Sequence, residues 1–454
     1  MLTIHLLFLR REDPLETIGF FKVFNTKMRS FNKNRSFTIS KSKFWHFVHL
    51  VIFRLVLDAF NIFVLSVNFS YLNYAIHWGI SNYLISWGVY LLLANSAPPK
   101  LTRVSDFYST FFICVLAGPI TSLYGLDMSR SFVPLFAITM SYFIIFSVSR
   151  LGRKNFGTLP KVKNGKVISC WIAAVGVFSL LVWYPISGAT LNLDVLKIYE
   201  YRQSNAELSA FGFLAYSNTW IFKVLNPFLI AIALYHRRYF AVGLLFFIQL
   251  IFFGYSTHRM VVLLPFLVTG VWFFFRYGRS ATILPVVSYS LIVFVYLVFL
   301  VFSYDLLASI LGRRLFFSPA SLVFSYFEFI NQNVHVFWSH SFLASVLDYP
   351  FDKPLPLEVG AFNGKPNVWA NAGYLATGYA HAGLWGVVIY SLILGLLFRF
   401  LLDPLSRTTS IWFLLCLTIT PIFTIFTTTD IPTVFVSHGL GLAMILLYFS
   451  AGKA

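Results

Sequence analysis

The chain repeatedly enters stretches of roughly 17 to 25 apolar residues, the length an α-helix needs to cross lipid. Twelve such candidate helices lie near 44–66, 79–96, 107–124, 131–149, 167–184, 218–235, 240–254, 260–275, 281–303, 373–396, 410–427 and 434–450. Inside lipid the backbone must satisfy its own hydrogen bonds, and uninterrupted apolar runs do so as helices. The remaining composition agrees, with 58% hydrophobic, 19% aromatic and only 11% charged residues. The expected fold class is therefore an all-α polytopic membrane protein with about 12 transmembrane helices. Cys114, Cys170 and Cys416 each fall within an apolar run, far apart in sequence. They fit packing residues rather than a disulfide framework or a metal site.

The 34 Lys and Arg against 16 Asp and Glu raise the question of nucleic acid. Their distribution answers it. One alternating set of loops carries 24 basic residues and five acids, the other eight basic residues and ten acids. Such a bias is the positive-inside rule, and it puts both termini in the cytoplasm. The charge then serves topology and contact with membrane lipids, not nucleic acid. The opening MLTIHLLFLRREDP has a short apolar run, no basic residue before it and charges directly after it. It reads as a surface-lying segment rather than a cleaved signal peptide.

Four segments follow. Residues 1–43 form a basic cytoplasmic segment, and 44–303 hold helices 1–9 with an external loop at 185–217. Residues 304–372 form a large external, periplasmic loop between helices 9 and 10, and 373–454 hold helices 10–12. Within the large loop, 303–347 spaces its apolar residues helically and predicts amphipathic helices on or dipping into the outer surface, with Pro319 starting a second one after a break. Residues 348–373 are dense in Pro and Gly and read as ordered turns.

Ionisable residues within or beside lipid are costly and mark sites or pairs. Arg54 and Asp58, four apart on the first helix, read as an ion pair, and Lys223 as a snorkelling side chain. Arg202, Arg259, Arg313 and Arg314 fall on the outer side, where positive charge is disfavoured, and a guanidinium there suits a phosphate or diphosphate. Glu328, His335 and His381 are the candidate acid or base residues, His335 standing two turns beyond Glu328. No ligand spacing points to a metal, and no Gly-rich phosphate loop, GxSxG or HExxH is present.

The succession of EYR (200–202), THR (257–259), GRRLFFSPASLVFSYFEF (312–329) and ANAGYLATGYAHAGLWGVVIY (370–390) resembles the O-antigen and oligosaccharide repeat-unit polymerases of the Wzy type, over roughly 195–395. The resemblance implies a GT-C-like, metal-independent glycosyltransferase without a cofactor. It would polymerise undecaprenyl-diphosphate-linked oligosaccharide repeat units into a surface polysaccharide at the outer face of the membrane, alongside a chain-length regulator protein. The four outer arginines would then hold substrate diphosphate, while Glu328, His335 or His381 takes the acceptor proton. Tyr201, Asn371 and Tyr374 would line the sugar. An O-antigen ligase acting on lipid A-core shares this architecture, and a lipid-linked oligosaccharide flippase is the alternative from another class.

Overall fold

The computed structural model describes residues 35–151, 162–192, 213–256, 259–302, 305–341 and 343–451. The expected surface segment at the amino terminus and most of loop 185–217 lie outside them. All extended elements among the described residues are helices. In chain order these are α1 (Lys41–Asn68), α2 (Ile80–Ser96), α3 (Val104–Leu126), α4 (Val133–Arg150), α5 (Gly165–Ile186), α6 (Tyr216–Tyr235), α7 (Tyr239–Ser256), α8 (Arg259–Phe275) and α9 (Ile283–Phe302). There follow α10 (Asp305–Asn331), α11 (Leu355–Phe362), α12 (Tyr374–Thr408), α13 (Ile411–Thr427), α14 (Ile431–Val436) and α15 (Leu440–Ser450). Nine of the described helices are long and apolar enough to cross a membrane, which makes this a polytopic membrane protein.

The bundle has two distinct ends. At one, the α2–α3 and α8–α9 turns are tied by Leu101 N–H to the Arg279 carbonyl (2.9 Å) and Ala281 N–H to the Pro99 carbonyl (3.0 Å). Lys100, Arg103, Arg150, Lys163, Arg237, Arg238, Arg276, Arg279 and Arg407 gather there, so we call it the basic end. At the other, the loop end, the α1–α2 and α3–α4 turns meet through Met128 N–H and the His77 carbonyl (2.8 Å). Deep between α1, α2 and α3, the Arg54–Asp58 ion pair read from the sequence is clamped by Thr121, Ser86 and Ser122, with Trp87 beside the guanidinium. Buried charge requires partners of this kind, and here they gather on the guanidinium and on Asp58 Oδ1, while Asp58 Oδ2 is enclosed without one.

Helix α10 corrects the expectation of separate amphipathic helices. It is one helical run, although its length alone would let it span. The guanidinium of Arg313 lies over Phe69 at the far end of α1, and Glu328 shares a cleft with Asp127 and Arg130 of the α3–α4 turn. Both positions belong to the loop end, so α10 lies across the bundle instead of through it. Pro319 does not break it, because the preceding Ala308–Phe317 is π-helical. The same device recurs: π stretches Ile113–Ala117, Ile221–Leu225 and Phe398–Leu402 each end two residues before Pro119, Pro227 and Pro404. A proline inside an α-helix loses a donor and presses on the carbonyl four residues back; the wider π turn relieves the clash and leaves one carbonyl without a partner. In α6 that carbonyl belongs to Phe222, and Gln249 of α7 donates to it at 2.9 Å.

The expected tenth helix, 373–396, is a hairpin. Ser141, midway along α4, meets both the Tyr374 hydroxyl and the Ser391 hydroxyl at 2.6 Å. In one straight helix these two would stand roughly 25 Å apart. The chain reverses at Ala382 and Gly383, whose φ of 59° suits glycine. The arms touch so closely that a Cβ on Gly386 would lie 1.9 Å from the Gly378 carbonyl oxygen. We therefore expect Gly386→Ala to lower the thermal stability of the purified protein by about 3 kcal/mol, the upper range for overpacking. Gly88→Ala on α2, which meets nothing within 4 Å, serves as the control; equal melting of the two variants would contradict the hairpin.

Candidate functional site

On α10 the residues Ser318, Ser321, Ser325 and Glu328 recur every three or four positions and so share one face, which Gln332 continues just past the helix end. That polar stripe floors two adjoining clefts at the loop end, of about 200 and 620 Å³, which share Asn73, Ser321 and Ser325. The opposite face of α10 is apolar and buried through Val323, Tyr326, Phe327 and Ile330, which fixes the stripe outward.

The smaller cleft is cationic. Arg313 is partly buried there, donating from Nη2 to Ser309 Oγ (2.8 Å) and from Nη1 to Ser318 Oγ (3.3 Å). Lys365 lines the same cleft, and burial together with Arg313 holds its ammonium below the ordinary lysine range. Burial also raises the Tyr74 phenol, while its hydrogen bonds to Ser318 and Arg313 pull the other way. Among the described residues, no carboxylate lies within ion-pair distance of Arg313 or Lys365. Two neighbouring cations without a carboxylate, in a partly dry cleft, favour an anion with several oxygens.

The larger cleft holds the acids. Asp127 stands 3.1 Å from both His77 Nδ1 and Arg130 Nε. Burial lowers the Arg130 guanidinium from its ordinary value; Asp127 offsets this most, and Glu328 adds to the offset. Glu328 is exposed on this cleft, free of the ion pairs that occupy Asp127. A carboxylate so placed can accept a proton from a hydroxyl brought to it.

Of the residues singled out from the sequence, the structure gathers Arg313 and Glu328 onto one stripe, 15 residues apart. Arg314 is exposed and lines neither cleft. Arg202, Tyr201 and the side chain of Arg259 lie outside the described residues. Asn371 is exposed beside Ala370, whose carbonyl accepts the Tyr326 hydroxyl at 2.9 Å. Tyr374 does not fit a sugar contact, being wholly buried against Ser141.

His381 is likewise enclosed, and neither it nor His335 lines the clefts. It caps the hairpin turn: its Nδ1 accepts the Trp338 N–H (3.1 Å), its carbonyl accepts the Phe337 N–H (3.1 Å), and its ring stacks on Trp338 at 4.7 Å. These contacts hold Phe337 and Trp338 in left-handed conformations. His335 packs against Tyr379, with Nδ1 enclosed and unpartnered. Lys223 is partly buried on α6, its Nζ 3.5 Å from His438 Nδ1. Among the described residues, no three His, Cys, Asp or Glu side chains converge as metal ligands would.

Sequence reading missed Arg130, Lys365 and Tyr74 because they come from three separate turns and act only by proximity to α10. The serine stripe went unread as well, although the spacing of Ser318, Ser321 and Ser325 ahead of Glu328 carries it. No protein-family model, curated protein or solved structure matches this chain.

Proposed function

We propose that the chain is a membrane-embedded glycosyltransferase that joins lipid-diphosphate-linked oligosaccharide repeat units at the loop end. The carrying observation is the α10 stripe, with an unpaired Arg313 and Lys365 at one end and Glu328 beside Arg130 at the other. Fifteen residues of helix separate the two by roughly 20 Å. That is too far for Arg313 to hold a leaving group while Glu328 works on the same bond. It suits an acceptor whose lipid diphosphate rests on Arg313 and Lys365 and whose sugars run along the serines, so that the terminal hydroxyl reaches Glu328. This hydroxyl attacks the anomeric carbon of the donor and gives its proton to Glu328. The bond from that carbon to the donor diphosphate breaks, and the electron pair leaves with the diphosphate, in the positive field of Arg130.

In this reading the protein sits in a bacterial inner membrane, with twelve crossings made by α1–α9, the second arm of α12, α13 and α15. The basic end faces the cytoplasm under the positive-inside rule. We expect a cysteine at Asp352 to react with an impermeant thiol reagent from outside intact cells, and one at Lys163 to be protected; the reverse pattern would overturn the orientation. The activity itself is tested by giving the purified, reconstituted protein a synthetic polyprenyl-diphosphate repeat unit. A ladder of products longer than one unit is expected. Movement of the lipid across vesicles without any new glycosidic bond would sink the enzyme reading in favour of a flippase.

A further inference from the structure

A second cavity, of about 500 Å³, opens at the basic end, far from the α10 stripe, among Asn164, Lys166, Tyr235, Thr409, Ser410 and Ser450. No acidic residue lines it. Two helices begin at its wall. Asn164, in a left-handed conformation, precedes α5, and Ser410 precedes α13; neither side chain caps its own helix. The first-turn N–H groups of a helix have no intrahelical partner and carry partial positive charge. Lys166 adds a full one, held 4.5 Å over the Tyr235 ring, with no carboxylate in ion-pair range among the described residues. The local field also registers on His236 just beyond α6, which burial, then Lys166 and Arg238, hold down to about 4.

The polar groups here are incomplete. Thr409 Oγ1 and Ser450 Oγ are enclosed and lack any hydrogen-bond partner, a costly state that a bound acceptor would relieve. One feature opposes an anion: α15 ends at the same wall, and its Phe449 carbonyl packs on Gly165. Two helix starts and a lysine outweigh this single helix end. We propose that the cavity binds a phosphate group from the cytoplasmic side of the membrane. Lys166 and the first turns of α5 and α13 hold its oxygens, and Thr409 and Ser450 rotate to donate to it. The same chemistry is offered by an anionic lipid headgroup and by soluble phosphate. The proposal does not depend on what the loop end does.

The test is the melting temperature of the delipidated full-length protein in a neutral maltoside. It is titrated separately with sodium phosphate at constant ionic strength and with short-chain phosphatidylglycerol. Saturable stabilisation is expected, shifted to about tenfold higher concentration or more in Lys166→Gln, as loss of a charge-assisted hydrogen bond requires. A response to both ligands identifies the phosphate group alone as sufficient; a response only to the lipid identifies a headgroup site. Absence of saturable stabilisation by either ligand overturns the proposal, as does a wild-type response in Lys166→Gln. If that variant does not accumulate, a wild-type response in the Thr409→Val, Ser450→Ala double variant overturns it instead.

Discussion

Arg313→Ala is expected to lower kcat/KM for the acceptor about 100-fold and collapse the product ladder to single units, with the protein still present at normal abundance in the membrane. The reason is its placement. Its guanidinium is oriented by Ser309 and Ser318 and backed by Phe69, yet no carboxylate among the described residues neutralises it. A charged hydrogen bond to substrate is worth about 1.5–3 kcal/mol, and a two-pronged grip on diphosphate uses two. The loss should appear mainly in acceptor KM, because Arg313 lies far from the bond being made. Arg313→Lys should recover only part of it, since lysine keeps the charge without the planar fork. A purely structural arginine would instead show reduced abundance with unchanged acceptor KM, and that result would remove Arg313 from the site.

Glu328→Gln should act on the other kinetic constant. The amide matches the carboxylate in size and accepts no proton, so kcat should fall by about 10²–10⁴ while acceptor KM stays near wild type. Glu328 is exposed on a helix whose other face is buried, so the substitution leaves the fold in place and membrane abundance should match wild type. His381→Phe provides the contrast. It keeps an aromatic ring at the hairpin turn but loses the acceptor for Trp338 N–H, so it should lower melting temperature while leaving the kcat of the surviving protein within a few-fold. A Glu328→Gln enzyme that polymerises at the wild-type rate would transfer the base role elsewhere.

The sequence revealed what depends on local pattern. Apolar run lengths located the helices, and the Arg54–Asp58 spacing announced their pairing on one face. The hairpin at 374–397 escaped because its residues are mostly apolar from end to end and carry neither proline nor charge at the reversal. Only the reversal at Gly383 and the shared partner Ser141 distinguish two short arms from one long helix, and Ser141 is over 230 residues away. Likewise, α10 looked broken at Pro319 because the π turn that accommodates the ring leaves no mark in hydropathy. Arg313 and Glu328 could be named from their place in the expected external loop, but their separation along one helix is a matter of geometry. His381 illustrates the reverse error: a histidine among small residues suggested chemistry, whereas its contacts fasten a turn.

The π stretches ahead of four prolines also bear on how such helices tolerate changes in length. A π turn accommodates one residue more than the α-helix around it. Removing a residue from Ile113–Ala117 would restore regular winding and leave the faces beyond it close to their present orientation, since the residue lost is the extra one the wider turn holds; the cost is the ring of Pro119 pressed into a carbonyl. An added residue has no wider turn to take it up and would rotate everything beyond by about 100°. Thr121 and Ser122 would then swing away from Arg54 and Asp58, leaving a charged pair in the bundle without its hydroxyls. Gene variants of this protein should therefore survive single-codon deletions just before these prolines more often than single-codon insertions there.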